Sequence, residues 1–227
     1  MNYDQIKKEL EPMMNEPIKG FIIVKGTDTK FDSEVHGDGV VLGCALSALA
    51  GKDNYVAAMF ITAMREMKEF MSLDDMAEIY HKVEVLEKLE PETEEMSMKY
   101  LMECLERGEV KKPKRAMVVL VFEEGNRCLF YPQISTKEED KAEVMSDEDW
   151  QQVKAEVIML GSMLGNAALD DETTAYAVIA ANRAYKEQFK EEDYEQMVAT
   201  LLPEYEETSS LQDNETSSSQ GEEGGGE

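Results

Sequence analysis

Two short runs, Phe21-Ile22-Ile23-Val24 after Gly20 and Ala116-Met117-Val118-Val119-Leu120-Val121-Phe122, are apolar without a break. A strand with one wet face alternates apolar and polar residues. Unbroken runs of this length read instead as strands buried on both faces. Any fold of this chain must therefore cover two strands from both sides, and helices are the obvious cover. The first run leads through Thr27-Asp28-Thr29 to a strand over 30–35, and the second through Glu124-Gly125-Asn126 to Cys128-Leu129-Phe130-Tyr131. Each pair reads as an antiparallel hairpin. The expected fold class is helix-rich α+β, with two hairpins each followed by helices.

Periodicity supplies the helices. A short amphipathic one over 2–14 is interrupted by Pro12 and followed by Pro17. Val40 to Ala50 is apolar or small nearly all round and reads as a buried helix, stopped by Gly51. Val56, Phe60, Ala63, Met67 and Phe70 then step by four and three, which predicts a helix over 54–71 capped by Asp53 or Asn54. Ser72 with Asp75 starts another helix that ends at Pro91, and Thr93 is a cap for one more, through Cys104 to Gly108. Ser146 with Asp149 predicts a helix carrying Trp150, Val153, Val157, Leu160 and Leu164, ending at Gly165. The alanine-rich helix 173–189 and an amphipathic segment over 191–202 follow.

Element order thus rhymes between halves, although no residue-level repeat stands out. The expected organisation is an N-terminal lobe over 1–108, a connector over 109–115, a C-terminal lobe over 116–202 and a disordered acidic tail over 203–227. Two lobes sharing one sheet and two small domains both fit this division.

Charge bounds the partners. The 227 residues carry a net charge of −26. Eight of the 49 acids and none of the 23 bases lie beyond Leu202, which leaves 41 acids against 23 bases, or −18, over the rest. Such a surface repels nucleic acid and anionic membrane and favours basic partners or cations. Met1 to Gln5 lacks a secretory layout, no apolar run approaches the roughly 18 residues of a membrane span, and three scattered cysteines suit a reducing compartment. The expected location is the cytoplasm.

Motifs give little chemistry. His36-Gly37-Asp38-Gly39 sits between a strand and a helix, but no phosphate-loop lysine or nucleophile elbow accompanies it, so it reads as a glycine-permitted turn. Cys44 with His36 and Asp38 nearby makes a candidate thiol site, yet an apolar helix hides a thiol and raises its pKa. Glu78 and His81 have the spacing of a bridged two-metal site, but no second copy exists. Asp28 to Ser33 begins like a calcium loop and fails at Lys30 and Ser33. Lys111-Lys112-Pro113-Lys114-Arg115, the sole basic cluster, reads as a solvated connector. No cofactor and no metal are expected.

The 16 methionines are the stronger hint. Met59, Met64, Met67, Met71 and Met76 fall on the helices after Asn54, and methionine suits adaptable binding faces. The stretch from Lys19 through Val24, a polar turn and His36-Gly37-Asp38-Gly39 to a Leu/Ala-rich helix is similar to small proteins of bacteriophages and mobile elements; that resemblance implies an origin of this kind and no activity. The expected function is a non-enzymatic, regulatory or assembly-related interaction protein that binds a basic partner through those methionines, with self-association open. The alternatives are a nucleic-acid mimic that occupies a nucleic-acid-binding protein, and a cysteine-dependent enzyme using Cys44 and His36.

Overall fold

The computed structural model describes residues 3–91, 94–123, 125–131 and 147–202. The segment 136–143, the Thr93 and Ser146 caps and the tail 203–227 lie outside the described residues, as does the side chain of Trp150. The described residues up to Gln188 form one compact unit, and α8 (Glu191–Leu201) belongs to a second that begins at Phe189.

The two apolar runs become β2 (Gly20–Gly26) and β5 (Arg115–Phe122), and nearly every residue of both is buried. Each has its hairpin partner, β3 (Phe31–His36) and β6 (Gly125–Tyr131). β2 also pairs antiparallel with β5, from Gly20↔Val121 to Gly26↔Arg115, so the hairpins share one sheet of order β3-β2-β5-β6. Of the two arrangements open to the sequence, the shared sheet is the one formed, and the expected connector 109–115 leads from a helix directly into β5 of that sheet.

Side chains alternate across the sheet. Phe21, Ile23, Ala116, Val118 and Leu120 point to one face, where α1 (Tyr3–Leu10) and α5 (Met98–Glu106) cover them with Ile6, Leu10, Met98, Leu101, Cys104 and Leu105. A 3-10 turn at Glu11–Met13 contains Pro12, so the first helix stops earlier than its apolar pattern suggested. Two-residue strands β1 (Pro17–Ile18) and β4 (Met96–Ser97) pair with each other just before α5. Ser97 caps that helix, accepting from the Tyr100 N–H.

The opposite face is covered by helices built twice: α2 (Gly39–Ala50) and α3 (Asn54–Phe70) after the first hairpin, α6 (Asp147–Asp170) and α7 (Glu172–Lys186) after the second. α4 (Leu73–Leu86) follows α3 and lies against α7. α2 packs along α7, and α3 along α6. Gly43 sets the first seam: a Cβ there would stand 2.5 Å from Ala180 Cβ and 2.7 Å from the Ala177 carbonyl. Gly161 sets the second, 2.6 Å from both the Met59 carbonyl and Thr62 Cβ.

These contacts are reciprocal, because residues 43, 59 and 62 correspond to 161, 177 and 180 at one constant offset. Written at that offset, 42–69 aligns with 160–187 without a gap, and eleven of the 28 positions are identical. Leu42/Leu160, Asp53/Asp171, Arg65/Arg183 and Lys68/Lys186 are among them. Asp53 and Asp171 also do the same work, each capping its helix by accepting from a backbone N–H of the first turn. The chain therefore contains a residue-level repeat of the helix pair that follows each hairpin, which corrects the reading that it has none. The unequal segments between hairpin and helices hide it in the sequence. Gly165 does not end α6 either. It lies inside the helix, where a Cβ would stand 2.6 Å from Glu66 Cβ and 2.9 Å from the Ala63 carbonyl.

Candidate functional site

β3 is an edge strand, and its inward row Asp32, Glu34, His36 lies beside Lys25, Ile23 and Phe21 of β2. Residues two apart on a strand share a face, as do residues four apart on a helix. Glu34 and His36 therefore face Tyr100 and Cys104 of α5. His36 Nε2 lies 3.3 Å from Glu34 Oε2 and 3.2 Å from Tyr100 Oη, with the imidazole 4.9 Å from the Phe21 ring. One ligand-type atom each from Glu34, His36 and Cys104 falls within 4.8 Å of the other two. Cys104 is fully buried, and burial, then the Glu34 carboxylate, push its thiol pKa up. On its own the sulfur stays protonated at neutral pH, which argues against a free nucleophile.

Two cations flank this cluster. Arg107 lies over the Tyr100 ring, 5.4 Å from its centroid. Lys25 is buried, and its Nζ donates to the carbonyls of Leu105 and Arg107 at the C-terminal end of α5. An ammonium suits the negative end of the helix, where the last-turn carbonyls point outward. Burial lowers the Lys25 pKa, partly offset by Asp32. Asp32 in turn accepts from the Glu109 and Val110 N–H groups. Beside these residues opens a cavity of about 310 Å³, lined by Lys25, Asp32, Ser33, Glu34, Arg107 and Asp170.

A second concavity lies between α2 and the end of α4. Of about 360 Å³, it is lined chiefly by Val40, Val41, Cys44, Leu86, Leu89 and Pro91, with Asp38 and Glu87 among its polar groups. Leu89 is 59% exposed. Asp38 caps α2, accepting from the N–H groups of Val40 and Val41 at 2.9 and 3.0 Å. The preceding Gly37, at φ 112°, makes the turn that glycine permits. Glu87 and Glu84 hold Arg183 of α7 at 3.2 and 3.0 Å.

The expected site residues are thus dispersed. Cys44 is exposed in the groove, which corrects its placement as a buried residue: α2 turns Cys44 and Ala48 outward while Leu42, Ala45 and Leu46 go inward. Partial desolvation in the groove raises its thiol pKa, and Glu87 and Asp38 add to the shift. His36 is grouped instead with Glu34, Tyr100 and Cys104. Met59 and Met67 are fully buried, and Met64 and Met76 nearly so; only Met71, at the end of α3, is half-exposed. The methionine stripe is core, because α3 is buried from Val56 to Met64 and at Met67, packed along α6 and against α2 and α7. That corrects the docking face expected there.

Glu78 pairs with Lys82 at 3.0 Å, and His81 is exposed. The basic cluster is engaged internally: Arg115 is buried and donates to both oxygens of Glu156, to Asp28 and to the Thr27 carbonyl, while Lys114 also pairs with Asp28. These two partners hold the Asp28 carboxyl below its ordinary range. Glu34, Tyr100 and Cys104 were missed in the sequence. Their only signals were a two-residue spacing on a strand and a four-residue spacing on a helix, in segments far apart along the chain.

No family model, curated protein or solved structure matches this chain. Among the described residues, no helix is long and apolar enough to cross a membrane.

Proposed function

We propose that this is a non-enzymatic binding protein that takes a basic, amphipathic protein segment into the groove between α2 and α4. The observation that carries the reading is the groove itself: half-buried Val40, Val41 and Leu86 beside exposed Leu89 and Pro91, with carboxylates among them, on a chain of net charge −26. Helices that dock in grooves bury one apolar stripe, and the opposite charge of their flanks speeds encounter and fixes orientation. The reading keeps the basic partner expected from charge and moves its site from the methionines to Val40, Val41, Leu86 and Leu89. Three free cysteines suit a cytoplasmic setting.

A synthetic four-turn helix of leucines and lysines, labelled for fluorescence anisotropy, tests this. The expected result is saturable binding that Val41→Asp and Leu89→Asp each weaken about tenfold, the cost of losing roughly 1.4 kcal/mol of apolar contact. Wild-type affinity in both variants sinks the groove. A nucleic-acid mimic is the other reading that the charge supports. It would bind its target with a steep salt dependence and be indifferent to Val41→Asp.

A further inference from the structure

We propose that Glu34, His36 and Cys104 form a binding site for a zinc-class divalent cation, with one coordination position left open beside the cavity at the end of α5. This site is separate from the groove and stands without it. Carboxylate, imidazole and thiolate are the three ligand types that zinc accepts, and three protein ligands with one open position is the pattern of non-structural zinc sites. Bond lengths of about 2.0–2.3 Å in a tetrahedron put ligand atoms roughly 3.3–3.6 Å apart. His36 Nε2 and Glu34 Oε2 already stand at 3.3 Å, and every ligand pair is within 4.8 Å, so closing the set takes side-chain shifts of no more than about 1 Å.

The mixed set suits zinc or cobalt better than calcium or magnesium, which take oxygen ligands. Charge balances as well. On binding, the Cys104 thiol releases its proton to solvent, and thiolate plus Glu34 carboxylate supply two negative charges for the cation. Tyr100, 3.2 Å from His36 Nε2, is placed to hydrogen-bond a ligand or a bound water. The neighbouring cations are occupied: Lys25 by two carbonyls, Arg107 against the Tyr100 ring. Glu34 and His36, about 30% exposed, leave the ion a path from solvent.

The test titrates Co²⁺ into the reduced, chelator-stripped full chain. The expected result is a thiolate-to-cobalt charge-transfer band that saturates at one ion per chain and bleaches when Zn²⁺ is added. Cys104→Ser abolishes the band, and His36→Gln weakens binding by more than the roughly 10–100-fold of an outer-shell change. Tyr100→Phe removes no ligand and keeps the band. Circular dichroism checks each fold. Because Cys104 is buried, the half-exposed His36→Gln decides alone if the serine variant fails to fold. No saturable band, a band that survives Cys104→Ser, or equal affinity in wild type and His36→Gln overturns the site and leaves only adventitious binding to an acidic surface.

Discussion

Gly43→Ala places a methyl group in the seam between α2 and α7. The new Cβ would stand 2.5 Å from Ala180 Cβ, 2.7 Å from the Ala177 carbonyl and 2.9 Å from the Ala181 nitrogen. Carbon atoms pack best about 3.5–4.0 Å apart, so the helices must separate by roughly 1 Å. Neither a backbone carbonyl nor an alanine methyl can rotate away. Two effects oppose each other. Alanine is about 1 kcal/mol better than glycine inside a helix, whereas overpacking a close-packed contact costs about 1–3 kcal/mol and more where backbone must move. With all three neighbours rigid, the steric cost wins, and the variant is expected to lose about 1–2 kcal/mol net.

Gly161→Ala, at the equivalent place between α6 and α3, should lose a similar amount, because the contacts are reciprocal. Gly51→Ala is the control. Gly51 has φ −64° and no contact nearer than 3.6 Å, so alanine there should be neutral or stabilising by about 0.4–1 kcal/mol. Urea unfolding of the three variants reads all the signs at once. Gly43→Ala as stable as Gly51→Ala would refute both the seam and the reciprocity drawn from it.

Two further outcomes probe the sheet's supports. Glu156→Ala strips the buried Arg115 of its two-oxygen partner, and the stranded charge should cost about 3 kcal/mol in denaturant unfolding even though Asp28 remains. Acid sensitivity should follow the carboxyl groups whose pKa is lowered in the fold: Asp28 by Lys114 and Arg115, Glu106 by Lys7, and Glu172 by Lys82. Each contributes stability that is present above its unfolded pKa and lost as pH falls through its folded one. Asp28→Asn should therefore lower stability at neutral pH and flatten its decline below about pH 4, and a decline as steep as in wild type would remove Asp28 from the explanation.

Much of the fold was legible because its determinants are local. The unbroken apolar character of β2 and β5 announced central strands, and Asp53 and Ser72 announced caps that the helices use. Gly165 misled because a glycine that stops a helix and one that admits a neighbour look alike in sequence; only the approach of α3 distinguishes them. Strand pairing between β2 and β5 joins residues about 90 to 100 positions apart, and no local pattern encodes it. The repeat is masked for a related reason: 42–69 begins six residues after its hairpin ends at His36, and 160–187 begins 29 residues after its own ends at Tyr131. Cys44 and the methionines failed together. An all-apolar helix and a methionine stripe each look buried or exposed only once the covering helices are known, and here the neighbours of α3 cover the stripe while part of α2 stays open to the groove.

Cys44 lies in the groove as its exposed thiol, so its alkylation reports occupancy directly. With its pKa raised by its surroundings, modification should be slow at neutral pH and should quicken above the range of an ordinary thiol, while the buried Cys104 reacts only on unfolding. The decisive measurement is the Cys44 alkylation rate, followed by mass spectrometry at mildly alkaline pH, with and without the leucine-lysine helix at saturating concentration. A basic segment seated between α2 and α4 predicts strong protection that persists in high salt, because apolar contact holds the complex once charge is screened. An unchanged rate in the presence of bound peptide would place the binding elsewhere and contradict the proposed function.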